Sequence, residues 1–284
     1  MTGRKTPSGN LDEERPPRGS GTASAPSVTV APAGAPALRA VDVVVTYGGV
    51  TAVDGFSLDA FPGEAVGLIG PNGAGKSSFL AALAGQIRIR QGTIFLAGQD
   101  VSRLPAYARA RRGVVRTFQM TSEFSGMTVF ENLLTAGQGA PGASLASIVA
   151  HPRRSARRDR AIARQAWEVL QRFELTEIAN TYGRELSGGQ RRLVEIMRCL
   201  MRSPKVLLLD EPMVGVAPHL VDKLITDLKS IRGDGIALII VEHALEVVRE
   251  LCDRVHVMAL GQEIADGTYE HVVQDREVQA AYLG

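Results

Sequence analysis

Cysteine is scarce in this chain: Cys199 and Cys252 are the only two among 284 residues. Two thiols do not make a disulfide framework, so both are expected as packed thiols in helical stretches of a reducing compartment. Long apolar runs are missing as well. No stretch reaches the roughly 18 residues that a membrane-crossing helix needs, and the N-terminus lacks the apolar core of a secretory signal. The expectation is a cytoplasmic protein that meets a membrane only through a partner. An excess of one charge is also absent. Thirty-two Lys and Arg against thirty Asp and Glu leave a net charge of +2, too small to argue for nucleic acid. The rest of the composition, 45% hydrophobic and 22% charged, is that of an ordinary globular protein. The length allows one large domain or two modest ones with a real core.

Large apolar residues are nearly absent from residues 1–37, which are rich in Pro, Gly, Ser, Thr and Ala and hold six of the fourteen prolines. Such a tail cannot bury enough surface to offset its ordering entropy, and disorder is expected. Order should begin near Leu38. "LRAVDVVVTYGG", "FSLDAFPGEAVGLIG" and "GTIFLAG" have strand patterning around turn signals. Residues 120–202 differ. "MTVFENLLTAG" opens a helix, and a Gly/Ala/Pro-rich loop follows it. Ile162, Ala166, Val169, Leu170 and Phe173 make one apolar helix face. Leu193, Ile196, Met197, Leu200 and Met201 make another. From Lys205 onward strand and helix patterns alternate, which predicts an α/β fold with a mostly parallel sheet and a helical insertion. The Arg-rich run 153–164 reads first as a solvated helix face.

The first chemical signal is "VGLIGPNGAGKSSFLAAL". Gly70, Pro71, Asn72, Gly73, Ala74, Gly75, Lys76 and Ser77 fit G-x-x-x-x-G-K-[ST] without a mismatch. The glycines let the backbone curl so that successive N–H groups form an anion nest. The following helix adds its positive N-terminal end. Lys76 supplies a charge for the β- and γ-phosphates, and the Ser77 hydroxyl suits Mg²⁺. A second signal is "KVLLLDEP", an apolar strand ending in two carboxylates. Ligands gather at the carboxyl ends of parallel strands. Asp210 is therefore expected to hold Mg²⁺, and Glu211 to orient the water that attacks the γ-phosphate. A third is "ELSGGQRRLVEIM", a helix start with exposed N–H groups and a hydroxyl, suited to a second phosphate.

Leu186, Ser187, Gly188, Gly189 and Gln190 form LSGGQ, and with it the chain resembles ABC-transporter ATPase subunits over residues 38–284. Other marks follow the family's order. Tyr47 in "VTYGG" matches the aromatic that stacks on adenine. Gln119 in "RTFQ" matches the glutamine that senses Mg²⁺ and the membrane-domain contact. His243 in "IIVEHAL" matches the histidine that contacts the γ-phosphate. Ser78 completes the phosphate loop. The resemblance implies a P-loop NTPase of ABC type, a RecA-like core carrying an antiparallel β subdomain and an inserted α-helical subdomain at about 120–202. His151, Trp167, His219, His256 and His271 match no motif and are expected to be structural.

The resemblance also implies a mechanism and partners. Two such chains, identical or homologous, face each other head to tail. Each ATP lies between Gly70–Ser78 of one chain and Leu186–Gln190 of the other, with Lys76, Glu211 and His243 catalytic and Ser77, Gln119 and Asp210 around Mg²⁺. Opening and closing drive two transmembrane permeases from the cytoplasmic face. One position departs from the broad family: Ala217 stands where many relatives carry aspartate in S-A-L-D, which puts communication between the two sites in question. "EPMVGVAPHL", "RTFQMTSEFSGMTVFENLLTA" and "DREVQAAYLG" resemble the branched-chain amino acid importers and their urea and amide relatives. An importer adds a periplasmic or lipid-anchored substrate-binding protein. The rivals are an ATPase for lipid or lipopolysaccharide export and an ABC ATPase acting on DNA or ribosomes. Only 66 residues separate Gln119 from Leu186, with no sustained heptads, which speaks against the long coiled coils of the DNA branches.

Overall fold

A computed structural model describes residues 34–117, 125–137 and 152–283. The Pro-rich stretch through residue 33, Gln119 and the Gly/Ala/Pro-rich loop of the helical insertion lie outside the described residues. Regular structure begins with β1 (Leu38–Tyr47), which turns at Gly48, φ +57°, into β2 (Val50–Ala60). With β4 (Gln91–Leu96) and β5 (Gln99–Asp100) they form an antiparallel sheet in the order β2-β1-β4-β5. Alternating burial along β1 and β2 explains why these segments pattern as half-buried strands.

The second sheet contains β3 (Ala65–Ile69), β6 (Val114–Arg116), β7 (Val206–Asp210), β8 (Ala237–Val241), β9 (Arg254–Ala259) and β10 (Gln262–Gly267). Its order is β10-β9-β3-β8-β7-β6, and every pairing is parallel except the β9–β10 hairpin. All five residues of β3 and of β8 are buried. A central parallel strand is covered on both faces, so it must be a continuous apolar run rather than an alternating one.

The first helices are α1 (Lys76–Leu83), directly after β3, and α2 (Ala106–Ala110). Three more, α3 (Val129–Ala136), α4 (Pro152–Arg172) and α5 (Gly188–Leu200), lie between β6 and β7. Thr128 and Glu131 close a capping box on α3, and Ser187 and Gln190 close one on α5. Ala166, Val169, Leu170 and Phe173 of α4 and its end are buried with Leu193, Ile196, Met197, Leu200 and Met201 of α5 and its end. These side chains share one apolar cluster with Leu207 and Leu209 of β7, so the helical insertion and the sheet are one continuous core. Trp167 lies on this helical layer, its ring 5.0 Å from that of Phe130.

The chain ends with α6 (Pro218–Gly233), α7 (Leu245–Leu251), α8 (Tyr269–Val272) and α9 (Arg276–Leu283). Val272 and Val278 pack with Ile69, the last residue of β3. Among the described residues no helix is long and apolar enough to cross a membrane. Cys199 is buried in α5, whereas Cys252 sits one residue beyond α7; burial pushes each thiol up to about 12.

Candidate active site

Strand order builds the site. In sequence β7 and β8 follow β3 at a distance, but in space β8 lies between β3 and β7. All three run parallel, so the loops leaving their carboxyl ends emerge on one edge of the sheet. Neighbouring strands are about 4.8 Å apart. The Gly70–Gly75 loop after β3, Asp210–Glu211 at the end of β7 and His243 after β8 are thereby brought within side-chain reach of one another.

A cleft of about 210 Å³ joins them, lined by Ala52, Asn72, Gly73, Ala74, Gly75, Lys76, Ser77, Ser78, Glu211 and His243. The loop is tightly seated. Gly70, φ +144°, backs onto the Met258 carbonyl so closely that a Cβ would lie 2.0 Å from that oxygen. At Gly75, φ +108°, a Cβ would lie 2.1 Å from the Ala52 carbonyl. The hairpin turn after β9 also ties in, since the Gly261 N–H donates to the Ala74 carbonyl at 2.8 Å.

Lys76 is 95% buried (5% exposed) and folds back over the loop, its ammonium donating to the Gly70 and Pro71 carbonyls at 2.8 Å each. Burial lowers its pKa from the ordinary lysine value, against the opposing pull of the Glu211 and Asp210 carboxylates. The Ser77 hydroxyl donates to Asp210 Oδ1 at 3.3 Å. Arg116, at the end of β6, pairs with Asp210 Oδ2 at 2.6 Å and donates to Gln86 Oε1 at 2.6 Å. The hydroxyl and carboxylate oxygens of Ser77 and Asp210 are the hard donors that Mg²⁺ takes. Among the described residues no group of three His, Cys, Asp or Glu could hold a metal by itself.

Glu211 has a left-handed backbone, φ +49°, uncommon for a residue with a side chain. Its N–H donates to the Val241 carbonyl at 2.9 Å. Its Oε1 lies 3.1 Å from His243 Nε2. The pattern of "EHAL" suggests a helix from His243, but α7 starts at Leu245. Glu242 explains the delay. Its carboxylate, 2% exposed, accepts the N–H groups of His243 at 3.1 Å and of Met213 at 2.8 Å. His243 is thus held on the loop, facing Glu211, rather than on a helix.

Tyr47 stands at the end of β1 with its hydroxyl 3.4 Å from Ser78 Oγ, and it is half exposed. It forms an aromatic shelf beside the phosphate loop. Leu186–Gln190 take no part in lining the phosphate cleft. Ser187 Oγ accepts the Gln190 N–H at 3.2 Å, and Gln190 Oε1 accepts the Ser187 N–H at 2.9 Å. Accepting that bond leaves the hydroxyl proton for an anion. Gly188 lines a second, larger cavity of about 660 Å³, whose walls include Ser77, Arg116, Asp210 and Glu211.

Three residues of the site carry no signal in the motifs: Arg116, Arg192 and Glu242. Arg116 is three residues before Gln119 in "RTFQ", and Arg192 directly follows the signature and Arg191. The one usable hint is at Glu242, a charge placed at the end of a strand too apolar to tolerate it unpaired.

A phosphate loop leaving a parallel sheet, a strand-end carboxylate pair beside it and an inserted helical layer define a P-loop NTPase of the ATP-binding-cassette class. A family model described as ABC transporter matches residues 53–214, and one described as branched-chain amino acid ATP-binding cassette transporter matches residues 262–284. The chain belongs to the ABC transporter family, as an ATPase subunit. The high-affinity branched-chain amino acid transport ATP-binding protein LivG of Escherichia coli K12 is 38% identical over 88% of this chain and 98% of its own length. The lipopolysaccharide export system ATP-binding protein LptB of Haemophilus influenzae is 37% identical over 87% of this chain and 97% of its own. A nucleotide-free ATP-binding cassette from an ABC transporter superimposes with a TM-score of 0.78 at 33% identity, covering 88% of this chain and all of that one. The ADP conformation of the cassette MJ1267 gives 0.76 at 31%, with the same coverage.

Proposed function

We propose that this chain hydrolyses ATP to drive uptake of branched-chain amino acids through two separate permease subunits, on the cytoplasmic face of a membrane. The observation that carries the cargo is the match of residues 262–284, the β10–α8–α9 segment, to the branched-chain amino acid cassette model. A substrate-binding protein would deliver the amino acid.

In this reading Tyr47 stacks on adenine and Gly70–Ser78 cradle the phosphates. Lys76 leaves the Gly70 and Pro71 carbonyls for the γ-phosphate, a cheap exchange because both partners are hydrogen-bond acceptors. Ser77, Asp210 and Gln119 would hold Mg²⁺, which when bound neutralises charge on the phosphates. Glu211 orients the attacking water, and His243, 3.1 Å from it, contacts the γ-phosphate. A second ATPase chain places its Leu186–Gln190 against the same nucleotide. Those donors act only across a closed dimer, so loss of the γ-phosphate removes the contact that holds it shut.

The similarity to LptB, comparable to that to LivG, supports lipopolysaccharide export as the second reading. Uptake of radiolabelled leucine in native cells separates the two. Replacement of the wild type by Lys76→Ala at matched expression abolishes leucine uptake under the import reading. Intact leucine uptake with loss of lipopolysaccharide from the outer surface would replace it with export, and selective loss of urea uptake would move the chain to the urea importers.

A further inference from the structure

Arg192, in the second turn of α5, reaches out of the signature helix to the turn that ends β7. Its Nη2 donates to the Glu211 carbonyl at 2.6 Å and to the Asp210 carbonyl. Its Nε donates to the Pro212 carbonyl at 3.3 Å. Nη1 pairs with Glu195 Oε2 at 2.6 Å, one helical turn on. Both side chains are shielded, at 12% and 7% exposure. One guanidinium therefore gathers three consecutive carbonyls, a task that suits its planar fork of donors and not a lysine ammonium.

The turn it holds contains Glu211 in its left-handed conformation. The N–H side of that turn is tied by Glu211 to Val241 and by Met213 to Glu242. Arg192 ties the carbonyl side. The same helix touches the next stretch of chain at its start: a Cβ on Gly188 would lie 3.0 Å from the Gly215 carbonyl. The signature helix is thus coupled to the β7 turn and to the loop after it. Ala217 lacks the carboxylate that could pass a signal through this loop across a dimer.

We propose that Arg192 is a positioning residue for hydrolysis, holding the Glu211 backbone in place and carrying the position of the signature helix to that carboxylate. This rests on the reading of Glu211 as the water-orienting group and of the signature as the partner nucleotide's contact. When the signature of one chain closes on the other chain's ATP, Arg192 moves with it and sets Glu211 at its own site. Communication between the sites then runs through one side chain within each protomer.

The test compares wild type, Arg192→Lys, Arg192→Met and Glu211→Gln as purified full chains, by ATP binding and by steady-state hydrolysis against ATP concentration. Misplacing a catalytic group by about 1 Å costs on the order of 100-fold in rate. The expected result is a kcat about 100-fold lower in both Arg192 variants, unchanged Kd for ATP, and a wild-type Hill coefficient above 1 that falls to 1. Arg192→Lys keeps the charge and the packing of the stem but loses the fork of donors, so a role in charge or stem packing alone would be rescued by it. Full activity in Arg192→Lys overturns the proposal. So does loss of ATP binding in both variants, which would make Arg192 a fold element only. If Glu211→Gln itself turns over normally, the reading of Glu211 fails first. If Glu211→Gln is inactive and Arg192→Lys is not, the clamp alone fails.

Discussion

Gly70→Ala is the sharpest test of how the phosphate loop is built. Its φ of +144° lies where side chains are rarely accommodated, and the new Cβ would meet the Met258 carbonyl at 2.0 Å. Cβ atoms in real proteins keep at least 3.0 Å, and the obstacle is backbone, so loop or strand must retreat by about 1 Å. Backbone strain of this kind costs about 1–3 kcal/mol, and overpacking adds about 1–3. The expected loss is about 2–6 kcal/mol, a large part of a typical stability of about 5–15. Gly73→Ala is the internal control. It also has positive φ, +80°, but its Cβ would meet nothing within 4 Å, so only the dihedral cost of about 1–2 kcal/mol applies. Urea unfolding of the two variants beside wild type measures the difference, and ATP titration reports the loop. Gly70→Ala should unfold at clearly lower urea and lose ATP binding. Equal midpoints for the two variants would refute the steric argument.

Glu211→Gln should bind ATP with unchanged affinity, turn over at least about 100-fold more slowly and accumulate as an ATP-bound dimer on size-exclusion chromatography; wild-type turnover would remove Glu211 from its role. Asp227 on α6 is 7% exposed, and its Oδ2 has no hydrogen-bond partner among the described residues. Burial raises its pKa above the ordinary 3.8. The fold therefore favours the protonated acid, and stability falls as pH rises from the unfolded pKa through the folded one. Asp227→Asn removes that standing cost, so its melting temperature should exceed wild type at pH 7 and converge with it below pH about 4. A variant no more stable at pH 7 would sink this account.

Much of the candidate site was legible because its parts are local. A phosphate loop is a run of backbone N–H groups, and Gly70, Gly73 and Gly75 announce the positive φ it needs. The Ser187–Gln190 cap is a four-residue interaction and shows as such. The apolar faces of α4 and α5 follow from helical period alone. What stayed hidden depends on residues far apart in the chain. Arg116 reads as one basic residue among many until β6 pairs with β7 and sets it on Asp210. Arg192 could equally face solvent; only the packing of α5 on the β7 turn directs it to the carbonyls. His243 looked like a helix start because the pull of Glu242 on two N–H groups, one of them 29 residues upstream, is invisible in a local window.

By itself, then, the sequence determined the chemistry available: a phosphate nest with its lysine, a carboxylate pair, a histidine and a second helix start, on an alternating α/β chain. Each is encoded within a few residues, where backbone conformation and side-chain type suffice. Tertiary structure decided which of them meet. By placing β8 between β3 and β7 it set His243 beside Glu211 and both at the phosphate loop, and it kept Leu186–Gln190 out of that cleft. Strand order is chosen by how whole apolar faces bury against one another, a property of the folded core that no short stretch of residues contains.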